Sequence, residues 1–254
     1  MTAMKHLTAI LILSLAWADS ALAQAPKYSN EFLSIGVGAR GLAMSKAQVA
    51  SVNDVTSAYW NPAGLMGIQN DLQVSAQHAE YFAGIAKYDY AGVATKIDSS
   101  SALAFSFVRF GVDDIPNTTD LIDQNGQVNY DRITSFSAAD YAFLLSYARE
   151  LGIEGLTVGG NAKVVYRQIG SMAKAWGFGL DVGAQHKYKG WRFGAMGRDI
   201  TSTFNAWSFN LDSTTVAVFQ ATDNEIPSNG LEITLPKLVL GAAREFTIKD
   251  RVGI

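Results

Sequence analysis

A few short segments carry candidate reactive or ligand-binding side chains. Gly36-Val37-Gly38-Ala39-Arg40-Gly41 satisfies G-x-G-x-x-G, and Asp54 follows at a distance suited to a ribose contact. That fingerprint binds a dinucleotide only where a strand precedes it, a helix follows it and a βαβ unit surrounds it. Here antiparallel-type strand segments follow instead. Ser171-Met172-Ala173-Lys174 satisfies S-x-x-K, but the companion motifs Ser-Asp-Asn and Lys-Thr-Gly are absent and the segment falls where a loop is expected. Asp120, Asp123, Asn125 and Asp131 offer oxygens to Ca²⁺. Their spacing misses the EF-hand pattern, and Asn125-Gly126 marks a solvated turn. Asn117-Thr118-Thr119 forms a glycosylation sequon, a short pattern of little weight by itself. The histidines are His6, His78 and His186, with no triad and no His-x-x-x-His pair among them. Cys is absent, which excludes disulfides and thiolate metal sites. We expect no catalytic residue, cofactor or metal, and hence no enzyme.

The elements that position these residues begin with a leader. Lys5 and His6, the apolar run Leu7 to Leu15, and Ala21-Leu22-Ala23 follow the order of a secretory signal peptide. Residues 1–23 are expected to be removed by cleavage after Ala23. Nothing later reaches the ~18 uncharged apolar residues of a membrane helix. A net charge of -3 supplies no basic surface for phosphate backbones, so nucleic acid is not an expected partner. Hydrophobic residues at 48% are ordinary for a soluble domain. A membrane β-barrel can show the same bulk value, because its lipid-facing and lumen-facing residues alternate.

Alternation dominates the remainder of the chain. Trp176, Phe178, Leu180, Val182 and Ala184 alternate with Gly177, Gly179, Asp181, Gly183 and Gln185. Leu156, Val158, Ala162, Val164 and Tyr166 stand against Thr157, Gly159, Asn161, Lys163 and Arg167. In strands, each set lines one face. Tyr141, Phe143, Leu145 and Tyr147 repeat the spacing, as do Leu103, Phe105 and Phe107, and Trp191 with Phe193. The pattern predicts strands over 72–81, 87–97, 101–110, 140–149, 156–167, 175–188, 190–198 and 236–246. Short connections fall near 99–100, 152–155, 189–190 and 249–250. Those at 111–139 and 199–235 are much longer, and 82–86 and 168–174 lie on the same side as the long ones. Short turns on one side and long loops on the other are the asymmetry of outer-membrane barrels, with the short side periplasmic. A soluble sandwich or lipocalin-like barrel also alternates, and the period alone does not say whether lipid or core covers the apolar face.

Ahead of the strands, Glu31 to Leu65 is rich in Gly and Ala and closes on Tyr59-Trp60-Asn61-Pro62-Ala63-Gly64. Asn53 or Asp54 can cap a short helix through Thr56, Ser57 and Ala58 to Trp60, which Pro62 stops. Gly36, Gly38 and Gly41 permit close packing in a narrow space. This segment resembles the N-terminal region of the PorV/PorQ family, within the FadL-like outer-membrane proteins, where a small-residue stretch ends in Trp followed by Asn-Pro-Ala. The resemblance implies an all-β, antiparallel transmembrane barrel of about fourteen strands with an N-terminal plug over 24–70 and barrel wall over 71–254. The chain ends a few residues into a ninth strand and lacks a terminal aromatic, so the barrel is expected to be incomplete. Asn61-Pro62-Ala63 would mark the junction of hatch and barrel, with Arg40 and Asp54 as partners for lumen polar groups.

The family serves type IX secretion in the bacterial outer membrane. The resemblance therefore implies a barrel that binds or shuttles cargo bearing a C-terminal sorting domain, or secretion-machinery subunits. Phe204, Trp207 and Phe209, in the second long loop, are the expected partner contacts, since exposed aromatics anchor interfaces. The alternative is FadL-like passage of a hydrophobic small molecule, which requires a continuous apolar pocket behind the plug. A barrel with a purely structural role in an envelope complex would bind neither.

Overall fold

The computed structural model describes residues 29–122, 127–248 and 252–253. The expected signal peptide, His6, Asp123, Asn125, Gly126 and the Lys249-Asp250 turn lie outside them. The described chain opens with short helical turns: a 3-10 turn at Glu31–Ser34, α1 (Ala39–Ala43), α2 (Ser57–Trp60) and a second 3-10 turn at Pro62–Gly67. Pro62 fits the first position of that last turn because its fixed φ suits a helix start and its missing N–H is not needed there.

Strands then follow one another as hairpins. β1 (Leu72–Tyr81), β2 (Ala86–Asp98), β3 (Ser101–Asn117), β4 (Thr134–Glu150), β5 (Leu156–Ile169) and β6 (Ala173–Tyr188) each pair antiparallel with the next. β7 (Trp191–Arg198) pairs with the second half of β6, and β8 (Phe204–Phe209) with its first half. They are one strand interrupted at residues 199–203. α3 (Ser213–Ala221), whose first turn is capped by the Asp212 carboxylate accepting from the Thr215 N–H, leads to β9 (Gly230–Ile233). β9 pairs with β8, and β10 (Lys237–Arg244) with β7. The result is an all-β, antiparallel meander in which neighbours in sequence are neighbours in the sheet. β1 forms one edge and β9 with β10 the other. Among the described residues no pairing joins them, so the sheet is open. β11 (Thr247–Ile248) and β12 (Val252–Gly253) pair with each other.

The eight expected strands are all present, but the long connections are shorter than expected. β3 runs on to Asn117 and β4 starts at Thr134, so the 111–139 loop contracts to 118–133. A bulge between Val112 and Ile115, with Asp114 at φ 55, breaks the alternation there and hides the extension. The 168–174 connection is a turn over 170–172. The 199–235 segment is corrected most: it contains β8, α3 and β9, so Phe204, Trp207 and Phe209 lie on a strand. Trp191, Phe193 and Ala195 of β7 point to one face, and Phe204 and Ala206 continue that face with the opposite parity, because the 199–203 interruption shifts the phase by one residue.

The two faces of the sheet are treated unequally. Residues 29–68 lie across one face and bury it: Tyr88, Tyr90, Val108, Leu144 and Val165 of the wall form an apolar core with Phe32, Val37, Tyr59 and Trp60, and Ala, Gly, Ser, Asn161, Lys163 and Asp181 make up much of the rest. A second set of large apolar side chains, among them Leu103, Phe105, Leu145, Trp176, Phe178 and Val182, is on the opposite face, and nothing among the described residues covers it. Leu145 is 52% exposed while its neighbour Ser146 is fully buried; Val182 is 48% exposed while Asp181 is 4%. This reverses a soluble sheet, whose apolar face packs on the core. The uncovered face also carries aromatic rows: Tyr141, Tyr166 and Trp176 are opposite one another toward the long-loop end, with ring centroids 6.0 and 4.6 Å apart, and Tyr188 lies opposite Trp191 at the short-turn end.

Glycine marks where the N-terminal segment presses on the wall. A Cβ at Gly159 would meet the Ala63 amide nitrogen and the Pro62 carbonyl carbon at 2.7 Å, and one at Gly194 would collide with the Val49 carbonyl. Gly152 has nothing within 4 Å. Gly159→Val should therefore destabilise by about 1–3 kcal/mol through overpacking, although strand propensity alone favours Val. Gly152→Ala should stay within about 0.5 kcal/mol. Denaturant unfolding followed by tryptophan fluorescence checks both.

Candidate functional site

The N-terminal segment and the polar wall beneath it form the most elaborate site in the chain. Its centre is Asn61, which has no exposed surface. The Asn61 side-chain oxygen accepts from the Ala63 N–H at 3.2 Å, fixing the turn into the Pro62–Gly67 helix. Its amide nitrogen donates to the carbonyls of Val49 at 2.8 Å, Ala184 at 3.1 Å and Ala195 at 3.4 Å. One side chain thus ties the segment to itself and to β6 and β7. Gln185, on the same face of β6, donates to the Val49 and Val52 carbonyls at 3.2 and 3.1 Å. The loop over 48–53 forms no regular ladder, so side-chain amides satisfy carbonyls that would otherwise be buried unpaired.

Toward the other end of α2 the wall supplies charge. Lys163 Nζ lies 3.0 Å from Asp181 and 2.6 Å from Asp199, with Lys163 and Asp181 nearly fully buried. The Asp199 N–H also donates to Asp181 at 2.8 Å, and Thr203 donates its hydroxyl to Asp199. These bonds hold the interruption between β7 and β8, where Asp199 and Ser202 sit at φ 54 and 56. Asn161 bridges cluster and plug, donating to Asp181 at 3.2 Å and to the Ala58 carbonyl at 2.8 Å. Arg198 donates to the Tyr59 carbonyl at 2.9 Å and lies over the rings of Tyr59 and Trp60, 5.1 and 5.8 Å from their centroids. Burial pushes the Tyr59 phenol above its ordinary pKa, and its hydroxyl donates to the Leu33 carbonyl.

Between these groups is a cavity of about 40 Å³ bordered by Asn30, Tyr59, Lys163, Asp181, Arg198 and Asp199. A water needs roughly 10–15 Å³ of such space, so a few waters fit and an organic substrate does not. Lys163 is shared by the two carboxylates, which also accept from Asn161, the Asp199 N–H and Thr203, and the cluster orders the backbone around it. No cluster of three metal-ligating His, Asp or Glu side chains occurs among the described residues.

The expected plug residues divide into two groups. Trp60, Asn61, Pro62 and Ala63 are buried at the junction. Gly36, at φ 106, and Gly41 take the Trp60 indole, whose Nε1 donates to the Val37 carbonyl at 3.0 Å. Gly38, at φ 78, donates its N–H to Gln77 at 2.6 Å. The G-x-G-x-x-G run therefore packs against an indole and β1, with no room left for a pyrophosphate. Asp54 accepts from the Thr56 N–H and hydroxyl, a local turn that starts α2, and Arg40 is exposed on α1. Charged contacts from wall to plug come instead from Arg198, from Asp181 through Asn161, from Lys237 to Glu31 at 3.5 Å and from Glu232, which accepts from the Ser29 hydroxyl at 3.2 Å. Asn161, Lys163, Asp181 and Gln185 were visible in the sequence as inward polar residues, but their partners were not. Arg198 carried no signal beyond its place at the end of β7. Ser171 and Lys174 are exposed at and beside a turn.

A separate cleft of about 750 Å³ opens at the long-loop end, bordered by Ile169, Trp207, Phe209, Ile226, Leu231 and Glu232. Trp207 and Phe209 point to the plug side of β8 and stack at 5.8 Å, while Arg167 lies 5.1 Å over Trp207 and pairs with Asp140 and Glu232. Phe204 faces the opposite, uncovered side. The expected trio is thus split between the two faces. No family model, curated protein or solved structure matches the chain.

Lys163→Met would leave two carboxylates buried without their cation and should destabilise by about 3–5 kcal/mol. Adding Asp181→Asn and Asp199→Asn to the same chain should recover most of that loss. Urea unfolding of the single and triple variants measures both; a single variant within about 1 kcal/mol of wild type would mean the cluster is not held as described.

Proposed function

We propose that this chain forms wall and plug of a bacterial outer-membrane β-barrel, exported by its leader, that serves type IX secretion by holding cargo proteins or machinery subunits. The reversed polarity of the sheet carries the membrane reading. A face of exposed Phe, Leu, Val and Trp is stable when lipid covers it, and the Tyr and Trp rows at its two ends suit the boundaries between lipid and water. The charged face is satisfied by the plug, as a lumen requires. Closure of the wall would come from pairing the open edges, since lipid penalises unpaired strand backbone.

The secretion role is supported by the resemblance of residues 31–65 to the PorV/PorQ plug and by the form of the interior. On the β5–β7 side the interior behind the plug holds Lys163, Asp181, Asn161 and Asp199, a poor route for a fatty acid. On the β2–β4 side the apolar wall residues Tyr88, Tyr90, Val108 and Leu144 are filled in by Phe32, Tyr59 and Trp60 of the plug. This disfavours FadL-like transport of a hydrophobic small molecule. The Trp207–Phe209 cleft at the long-loop end is the place for a partner segment, with two stacked rings as anchors.

Tagged full-length protein, solubilised from outer membranes in mild detergent, should bring down proteins sharing a C-terminal sorting domain, or secretion subunits, in stoichiometric amounts. Trp207→Ala with Phe209→Ala should reduce that recovery by at least about tenfold if both rings are anchors. Recovery of apolar small molecules alone would favour the transporter. Fractionation into the soluble periplasmic extract would overturn the membrane reading.

A further inference from the structure

At the short-turn end of the uncovered face, β6, β7 and β10 leave a trough. Ala184 lies opposite Ala195, and Ala195 opposite Leu240. The floor of this row is therefore two methyl groups, whereas Phe193 and Val182 stand higher on either side. Leu156, His186, Phe193 and Leu240 complete a groove of about 320 Å³. A water-sized group takes about 30 Å³, so the groove admits a segment of an acyl chain.

The polar end of this trough is not self-satisfied. His186 stacks on Tyr188 at 6.0 Å, and its Nδ1 is buried without a hydrogen-bond partner. Just beyond, Lys189 Nζ lies 5.1 Å from the Tyr188 ring centre, and Arg244 lies over Trp191 and Phe246 at 5.4 and 5.1 Å. Among the described residues neither cation has a carboxylate partner. Lys87, Arg109, Arg167 and Arg192 each have one. Two cations on aromatic rings, without a carboxylate partner among the described residues, at the mouth of an apolar groove in an apolar face, are complementary to one class of molecule.

We propose that this trough binds a single anionic glycerophospholipid. Its phosphate lies between Lys189 and Arg244, its glycerol ester region lies beside the His186 ring, and one acyl chain occupies the Ala184–Ala195 floor. The inference rests on the membrane reading above and adds to it a specific lipid at a specific place, on the side of the short turns. Salt bridges to the phosphate supply selectivity for charge, and the groove supplies affinity for the chain.

The test uses full-length protein purified in mild detergent, exchanged into mixed micelles holding equimolar phosphatidylglycerol and phosphatidylcholine, with retained lipid read by native mass spectrometry. Wild type should retain phosphatidylglycerol in clear preference. Each basic group near an anionic headgroup strengthens binding by about fivefold, so Lys189→Gln with Arg244→Gln should lower the preference by on the order of tenfold or more. Ala195→Leu fills the floor and should reduce retention of both lipids several-fold. Unchanged heat-dependent gel mobility confirms that the variants remain folded. Equal retention of the two lipids by wild type, or an undiminished preference in the double variant, overturns the site while leaving the membrane reading intact. A protein that fractionates without membranes and needs no detergent overturns both.

Discussion

Polar side chains buried on a sheet face need partners as polar as themselves, and here a single irregular segment provides them. Residues 48–63 present backbone carbonyls to Asn61, Asn161, Gln185 and Arg198. Neither side is stable alone. Without the segment, Lys163 and Asp181 would face an open groove; without the wall, the segment has little regular structure to satisfy its own backbone, since α1 and α2 are too short to persist in isolation. Alanine and glycine on the wall let the backbone come close enough for these bonds to form. The small inward residues and the plug are therefore parts of the same constraint.

That constraint explains the polar part of the interior beside β5 to β7, while Tyr88, Tyr90, Val108 and Leu144 pack the remainder against Phe32, Tyr59 and Trp60. On the opposite face large apolar residues alternate with the inward ones, and their exposure follows from the period of the strands. The interruption at 199–203 matters in the same way. It moves the alternation by one residue so that Asn205 and Trp207 point to the plug side, and it places Asp199 where Lys163 can hold it. Ser29 and Asn30 then bond to Asn205, and Asn30 also to Thr234, which carries the start of the described chain over to β8 and the stretch beyond β9.

Much of the wall was legible because strands with a strict period of two and short turns are a local signal. β1 matches its expected bounds residue for residue. The misses have a common cause. Bulges at 112–115 and 199–203 break the period, so the outer half of β3 and all of β8 and β9 read as loop. The plug was legible only through its glycines and the Trp60-Asn61-Pro62 junction. Which wall residue meets which carbonyl depends on packing between segments more than a hundred positions apart, as with Asn61 and Ala184, and no local pattern encodes that. Arg40 and Arg198 look equally suitable in sequence; only the fold puts one in solvent and the other over Tyr59.

The most direct test of the reversed sheet is quenching by lipids carrying bromine in the acyl chains, applied to folded single-tryptophan variants in bilayers. Trp176 and Trp191 lie on the uncovered face, 55% and 41% exposed, and Trp60 is buried beneath the plug at 6%. Fluorescence from Trp176 and Trp191 should be strongly quenched and that from Trp60 should not. Protection of Trp176 and Trp191, or equal quenching of Trp60, would contradict a sheet that turns its apolar face to lipid and its polar face to the plug.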